Sequence, residues 1–340
     1  MKVVVLHDMA SPDAAPDLAD NVVQASQVLA ALGRLGHRAQ GLAFGPEVDQ
    51  TRQALEELRP DVVFNLVETP LGMARMIHLA PLLLERLRLR YTGAGARGML
   101  LTSQKLLAKK AMRESNLPTP DWCGPRDDGL PFSPLRRYIV KSVWEHGSVG
   151  LDDHSIIKPL GRAAMRAAIA QRGKALGGDC FAEAYIDGRE FNIAILAGSR
   201  GPEVLPPAEI TFEGFQPGKP HIVGYRAKWV EDSHEYNHTP RRFDFEPRDA
   251  ELLARLKAMS LRCWRLFGLR GWARVDFRVD RKGRPFILEV NANPCLADDA
   301  GFMAAARRAG LDQTIVVWRI LGSASRGRRR GCAVEKTGLA

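Results

Sequence analysis

The amino-acid sequence predicts an α/β fold, with a parallel α/β layer over residues 1–95 and a mixed α+β part after it. Three observations carry that expectation. Through the first 95 residues, short apolar runs alternate with segments of helical periodicity, the pattern of parallel strands joined by crossover helices. Residues 274–294 read as two alternating strands around Lys282-Gly283, a hairpin pattern. The length, 340 residues, suffices for two or three domains with cores of their own.

Taken in order, Lys2–Leu6 is an apolar first strand. Leu18–Leu35 has helical periodicity and stops at Gly36, a residue suited to a C-cap. His37–Phe44 is a second strand, Glu47–Leu58 a helix closed by Pro60, and Asp61–Leu66 a third, buried strand. Gly72–Arg88 is helical, with a kink expected at Pro81. Thr102–Ser115 is a helix stopped by Pro118-Thr119-Pro120, and Tyr138–Ser142 is a strand. Pro159–Ala175 is a helix with its proline in the first turn. Asp179–Ile186 and Glu190–Leu196 are strands, and Asp187-Gly188 between them is a hairpin signal. Gly198–Arg242 contains six prolines and is expected to be irregular. Pro247–Phe267 is a helix ended by Gly268, Gly301–Arg308 a short helix, and Gln313–Leu321 closes the fold. The expected units are 1–95, 96–182 and 183–322, then a basic tail, 323–340, too polar to pack and so expected to be disordered.

No apolar run is long enough to cross a bilayer. The apolar start is interrupted at once by His7 and Asp8, too soon for the apolar region of a signal peptide. Five cysteines at irregular spacing suit reduced thiols, hence a cytoplasmic protein, and make no metal-ligand pattern. The formal charge of +10 raises nucleic acid as a partner. Five of the basic residues lie in the tail, however, so nucleic-acid binding is not expected.

Chemistry concentrates in the hairpin. Val275, Phe277 and Val279 alternate with Asp276, Arg278 and Asp280, and Phe286, Leu288 and Val290 with Ile287, Glu289 and Asn291. Asp276 and Glu289 can therefore meet across the strands, with Asn291 on the same face. These are hard oxygen donors, suited to Mg²⁺ (or Mn²⁺) holding phosphates; the plainer alternative is a solvated polar face. Lys141 ends an apolar strand, where a lysine needs a partner anion or a path for its head to water. The glycine-bearing loop His146–Gly150 follows and can present backbone N–H groups to phosphate. His7, Asp8, Asn65 and Glu68 fall at strand ends, where open α/β sheets bind ligands and where polar loops are also common. His234-Glu-Tyr-Asn-His238 matches the H-E-x-x-H zinc pattern. That pattern needs a helix, and Thr239-Pro240 and the polar surroundings predict a loop, so zinc is not expected.

Ala273-Arg-Val-Asp-Phe277 and Leu288-Glu-Val-Asn-Ala-Asn-Pro294 resemble the ATP-grasp superfamily, in its D-alanine–D-alanine ligase branch. Tyr91-Thr-Gly93, Lys105, Ile139-Val-Lys141, Glu145 with Ser148-Val-Gly150, and Glu183–Glu190 with Ala194–Leu196 stand upstream in the family's order, and the likeness spans about residues 60–312. The resemblance implies an ATP-grasp fold and an ADP-forming ligase that makes a carbon–nitrogen bond through an acylphosphate. It implies that Lys105, Lys141, Glu145, Ser148, Glu183, Tyr185, Ile186 and Glu190 bind ATP. Lys228 would act on the transferred phosphate and Arg274 on the oxyanion, with Asp276, Glu289 and Asn291 as metal ligands. The partners would be a small carboxylate and an amine, with no membrane; a homodimer is a further expectation.

The likeness fails where substrate would be read. His7–Pro12 replaces the branch's glycine- and serine-rich loop, Val67–Gly72 its His-Gly loop, and Cys295–Asp299 its small and hydroxyl residues. Glu68, Cys295 and Asp298 are accordingly the candidate substrate residues, and acids at 298 and 299 favour an amine over a carboxylate; the plainer alternative is that both aspartates point outward and cap the helix beginning near Gly301. Two further readings stand beside the ligase: a peptide or amino-acid ligase with a different acceptor, and a nucleotide-binding protein without turnover.

Overall fold

The computed structural model describes residues 1–9, 16–125, 132–145, 148 and 150–326. Ala10–Pro12, the loop residues His146, Gly147 and Val149, and tail residues 327–340 lie outside them.

The N-terminal layer is built from β1 (Lys2–Asp8), α1 (Pro16–Arg34), β2 (Arg38–Phe44), α2 (Val48–Leu58), β3 (Val62–Asn65) and α3 (Leu79–Arg86). Its sheet runs β2-β1-β3, all parallel, as the alternation of strands and helices requires. Pro81 does not kink a long helix. Two 3₁₀ turns, Pro70–Gly72 and Ala74–Met76, precede α3, and Pro81 sits in the first turn of α3, where the N–H it lacks has no intrahelical acceptor.

The helix expected over 102–115 is two, α4 (Ala96–Ser103) and α5 (Lys105–Glu114), broken at Gln104, whose Oε1 accepts from Leu107 N at 2.6 Å and caps α5. After them come β4 (Trp122–Cys123), β5 (Tyr138–Ser142), β6 (Ile156–Ile157), α6 (Arg162–Leu176) and β7 (Cys180–Ala184), in an antiparallel sheet of order β4-β7-β5-β6. Pro159 precedes α6, whose N-cap is Gly161.

The last unit contains β8 (Gly188–Gly198), β9 (Gly201–Val204), β10 (Ala208–Ile210), α7 (Tyr225–Trp229), α8 (His234–Asn237), β11 (Arg241–Arg242), α9 (Ala250–Leu266), β12 (Trp272–Asp280), β13 (Pro285–Asn291), α10 (Gly301–Arg308) and α11 (Gln313–Arg326). Segment 198–242, expected to be irregular, thus supplies three strands and two short helices. The sheet order is β11-β10-β8-β12-β13, with β9 on β8.

β7 and β8 do not form the hairpin that Asp187-Gly188 signals. They belong to different sheets, and residues 185–187 cross from one to the other. Gly188 has φ 156°, and a Cβ there would lie 2.0 Å from the Val279 carbonyl oxygen. The glycine serves a close backbone approach between β8 and β12.

The expected unit boundary at 182/183 falls inside β7, and α4 and α5 pack against the six-stranded sheet through Met99, Ala108 and Met112. α11 extends through Arg326, four residues into the expected tail. The face of β8, β12 and β13 carrying Phe191, Ile193, Val275, Phe277, Ile287 and Val290 is covered by α4, α5 and α9. Trp272, Leu196, Phe302 and Val316 join the other face of that sheet to Val3, Val5 and Phe64 of the N-terminal layer. The two sheets and the N-terminal strand ends enclose a cleft of about 590 Å³.

Candidate active site

One row of polar side chains forms the cleft wall on the six-stranded sheet. Arg274, Asp276 and Arg278 alternate along β12. Asp276 lies directly across from Glu289 on β13 and from Asn192 on β8, Arg274 across from Asn291, and Arg278 across from Glu190. All seven line the cleft. The period of two explains their common face, and burial of the alternate residues in the core fixes the register. The alternation in β13 departs from expectation. A bulge at Leu288 turns Ile287 and Val290 into the core and leaves Leu288 and Glu289 both on the cleft.

The row is held by ion pairs. Arg274 grips Asp276 with Nε–Oδ1 at 2.7 Å and Nη2–Oδ2 at 2.8 Å, and Asn192 Nδ2 donates to Asp276 Oδ1 at 2.9 Å. Arg278 pairs with Glu190 at 3.1 Å. Burial, opposed by Arg274 and reinforced by the Glu289 carboxylate, pushes the Asp276 carboxyl up. Two carboxylates facing each other in a buried site are what a divalent cation neutralises. Asn291 adds an amide oxygen, although its Oδ1 also accepts from Asn293 N at 3.0 Å. Hard oxygen donors in this number suit Mg²⁺, which keeps its other positions for water and phosphate.

The opposite wall comes from the four-stranded sheet. Lys141 on β5 and Lys109 on α5 both reach Glu183 on β7, at 2.5 and 2.7 Å. Burial raises the Glu183 carboxyl, and the two ammonium groups more than offset it, leaving the acid below its usual range. Glu183 is therefore the anion that Lys141 required. Lys105 at the start of α5 donates to the Glu145 carbonyl at 2.5 Å, and burial pushes its ammonium pKa down. Ser148 adopts φ 63° and donates to the Val223 carbonyl at 2.7 Å. Tyr185 exchanges hydrogen bonds with the His221 backbone, and Tyr185 and Ile186 lie on the crossing segment, lining the cleft. Lys228 on α7 closes the roof, its pKa pushed down by burial and by Arg274.

At the far end, Asp8, Asp20, Glu68, Cys295 and Asp299 line the cleft, and Asp298 does not. Asp298 is exposed, and its carbonyl accepts from Arg307. Neither aspartate caps α10, whose N-cap is Ala300.

Sequence reasoning passed over Lys109, Arg278, Asn192, Asp20 and Arg241 as site residues. Arg278 and Asn192 each lie two residues beyond a recognised site residue, so strand alternation was a sufficient signal. Lys109 reaches Glu183, and Asp20 and Arg241 reach the cleft, only through packing of elements distant in sequence. At His234–His238 the backbone makes one helical turn where a loop was expected. The two rings stack at 3.8 Å, while Glu235 pairs with Lys219 and Arg226.

Residues 135–322 match the family model described as the D-ala D-ala ligase C-terminus. The chain is 33% identical over 303 residues to a D-alanine–D-alanine ligase of Methylococcus capsulatus, covering 86% of this chain and 87% of that one. It is 34% identical over 303 residues to that of Stutzerimonas stutzeri, with 86% of each covered. It is also 32% identical over 311 residues to an uncharacterized Sinorhizobium fredii protein, y4sG, covering 89% of this chain and 87% of that one. A D-alanine–D-alanine ligase of Bacillus anthracis solved with ATP superposes with a TM-score of 0.73 at 20% identity, over 96% of this chain and 98% of that one, a likeness of fold. No helix among the described residues is long and apolar enough to cross a membrane. With the family model covering more than half the chain and relatives above 30% identity over most of it, this chain belongs to the D-alanine–D-alanine ligase branch of the ATP-grasp superfamily and is an ATP-dependent, ADP-forming ligase that joins a carboxylate to an amine.

Proposed function

We propose that ATP lies between the two sheets, its base near Glu183, Tyr185 and Ile186, its ribose at Glu190, and its phosphates toward Lys105, Lys141 and Lys228, with Glu145 and Ser148 at the edge. The observation that carries this reading is the in-register row Glu289–Asp276–Asn192 facing the lysine-bearing wall across one cleft.

A carboxylate resists amines because its carbonyl carbon is electron-rich; phosphorylation makes it an acylphosphate with a good leaving group. Lys141 can serve a phosphate while keeping Glu183, because an ammonium has three donors. Arg274, fixed by both oxygens of Asp276, retains N–H groups for the oxyanion that forms when the amine attacks. Asp276, Glu289 and Asn291 would hold Mg²⁺, which supplies charge neutralisation at the β- and γ-phosphates. Burial and Arg274 disfavour the ammonium form of Lys228, and an anion arriving beside it would offset both. The small-molecule acid and amine, a cytoplasmic setting and a homodimer belong to the same reading.

The test is ADP release and product mass measured together, with Mg²⁺ and ATP, against a panel of amino acids and dipeptides. Stoichiometric ADP and amide product support a ligase. Tight ATP binding with no ADP from any pair supports a nucleotide-binding protein without turnover.

A further inference from the structure

The far end of the cleft carries more carboxyl groups than one amine requires. Asp8 ends β1, Asp20 lies on α1 and Glu68 follows β3; all three line the cleft. Asp8 is 3% exposed. Its Oδ2 accepts from the backbone N–H groups of Glu68 and Thr69 at 2.8 and 2.9 Å, while its buried Oδ1 has no partner among the described residues. Glu68 accepts from Gln24 Nε2 at 2.8 Å, and Asp20 from the Cys295 thiol at 3.0 Å. The groups acting most strongly on these three carboxyls are one another, Asp299, neutral donors and the His7 imidazole; no lysine or arginine is among them. Asp299, by contrast, has the Arg241 guanidinium beside it.

A buried acceptor left unpaired is costly, so the arrangement makes sense when a donor arrives. Among the described residues no three His, Cys, Asp or Glu side chains are grouped around a common metal position, so the donor sought is a protonated group. The attacking amine is not sufficient either. To form the amide it must give up a proton and use its lone pair, so it carries no positive charge at the moment of reaction. An α-ammonium on the carboxylate substrate would match one carboxylate, not three.

We infer that the Asp8–Asp20–Glu68 end of the cleft recognises a substrate bearing a second, unreacted ammonium group, a basic diamino acid in place of a neutral amino acid such as alanine. This rests on the ligase reading above. The reaction is balanced as carboxylate plus ATP giving acylphosphate and ADP, then acylphosphate plus amine giving amide, phosphate and a proton; the second ammonium stays intact throughout.

The experiment compares alanine with 2,3-diaminopropionate, ornithine and lysine, both enantiomers, by ADP release, product mass and calorimetric binding in the presence of a non-hydrolysable ATP analogue. The diamino acids should exceed alanine at least tenfold in kcat/KM or in affinity. Glu68→Gln and Asp20→Asn should each erase most of that ratio; both are preferred to Asp8→Asn, which would also disturb the two backbone N–H groups Asp8 holds. Binding at neutral pH should release protons in wild type and fewer in Glu68→Gln. Alanine turned over or bound as well as every diamino acid would overturn the inference while leaving the ligase standing. Diamino acids bound selectively with no ADP from any pair would keep the inference and remove the ligase reading. Selectivity unchanged in both variants would also overturn it.

Discussion

Replacing Glu183 by glutamine removes one negative charge from between two lysines. The carboxylate is 1% exposed, with Lys109 Nζ 2.7 Å from one oxygen and Lys141 Nζ 2.5 Å from the other. At an effective dielectric constant of about 20, each contact is a Coulomb attraction of roughly 6 kcal/mol. Burying the charges offsets much of that, and removing one partner of a buried pair costs about 3–5 kcal/mol, because the remaining charge loses its counter-ion. Here two ammonium groups are left facing each other, so the upper end applies. At about 2–4 °C per kcal/mol for domains of roughly 150–250 residues, Glu183→Gln should melt about 10–20 °C below wild type. Lys109→Met combined with Glu183→Gln should recover at least about half of the loss, because it removes the more buried of the stranded charges. ATP should raise the melting temperature of Glu183→Gln at least as much as that of wild type, since phosphates restore negative charge near Lys141. Calorimetric melts with and without nucleotide read all three. A single variant within about 2 °C of wild type would show that the triad is not a stabilising unit and refute this reasoning.

Asp276→Asn and Glu289→Gln should each lower ADP release at least about tenfold with melting temperature little changed for Glu289→Gln, because each removes ligand charge beside Mg²⁺; near-normal turnover in both would dissociate the row from metal. Glu68 gives a pH signature. Burial first, then Asp8 and Asp20, raise its carboxyl from 4.5 to about 8 in the folded chain. The folded state therefore holds that proton more tightly than the unfolded one. The resulting stability is full below pH about 4.5 and is lost as pH rises toward about 8. Glu68→Gln should flatten that fall in denaturant midpoints across the same window, and identical slopes in both proteins would exclude Glu68 as its source.

What the sequence determined by itself was periodic or local. The parallel first sheet followed from apolar runs alternating with helices. The Asp276–Glu289 pairing followed from two strands and a turn, because alternation fixes which side chains share a face. The fold class and the ligase family were legible for the same reason: the residues that carry them sit in short ordered motifs. What only the tertiary structure decided depended on contacts between distant segments. Asp187-Gly188 reads locally as a hairpin turn, yet β7 and β8 pair in different sheets, and the glycine is required by the Val279 carbonyl ninety-odd residues later. Leu288 bulges into the cleft because Ile287 and Val290 both find places in the core. Glu183 is a buried counter-ion because α5 brings Lys109 to it. Asp8, Asp20, Glu68 and Cys295 meet although they span nearly three hundred residues. No period in the chain encodes such a meeting; it arises when sheets and helices bury their apolar faces against one another and carry their polar edges to a common cleft.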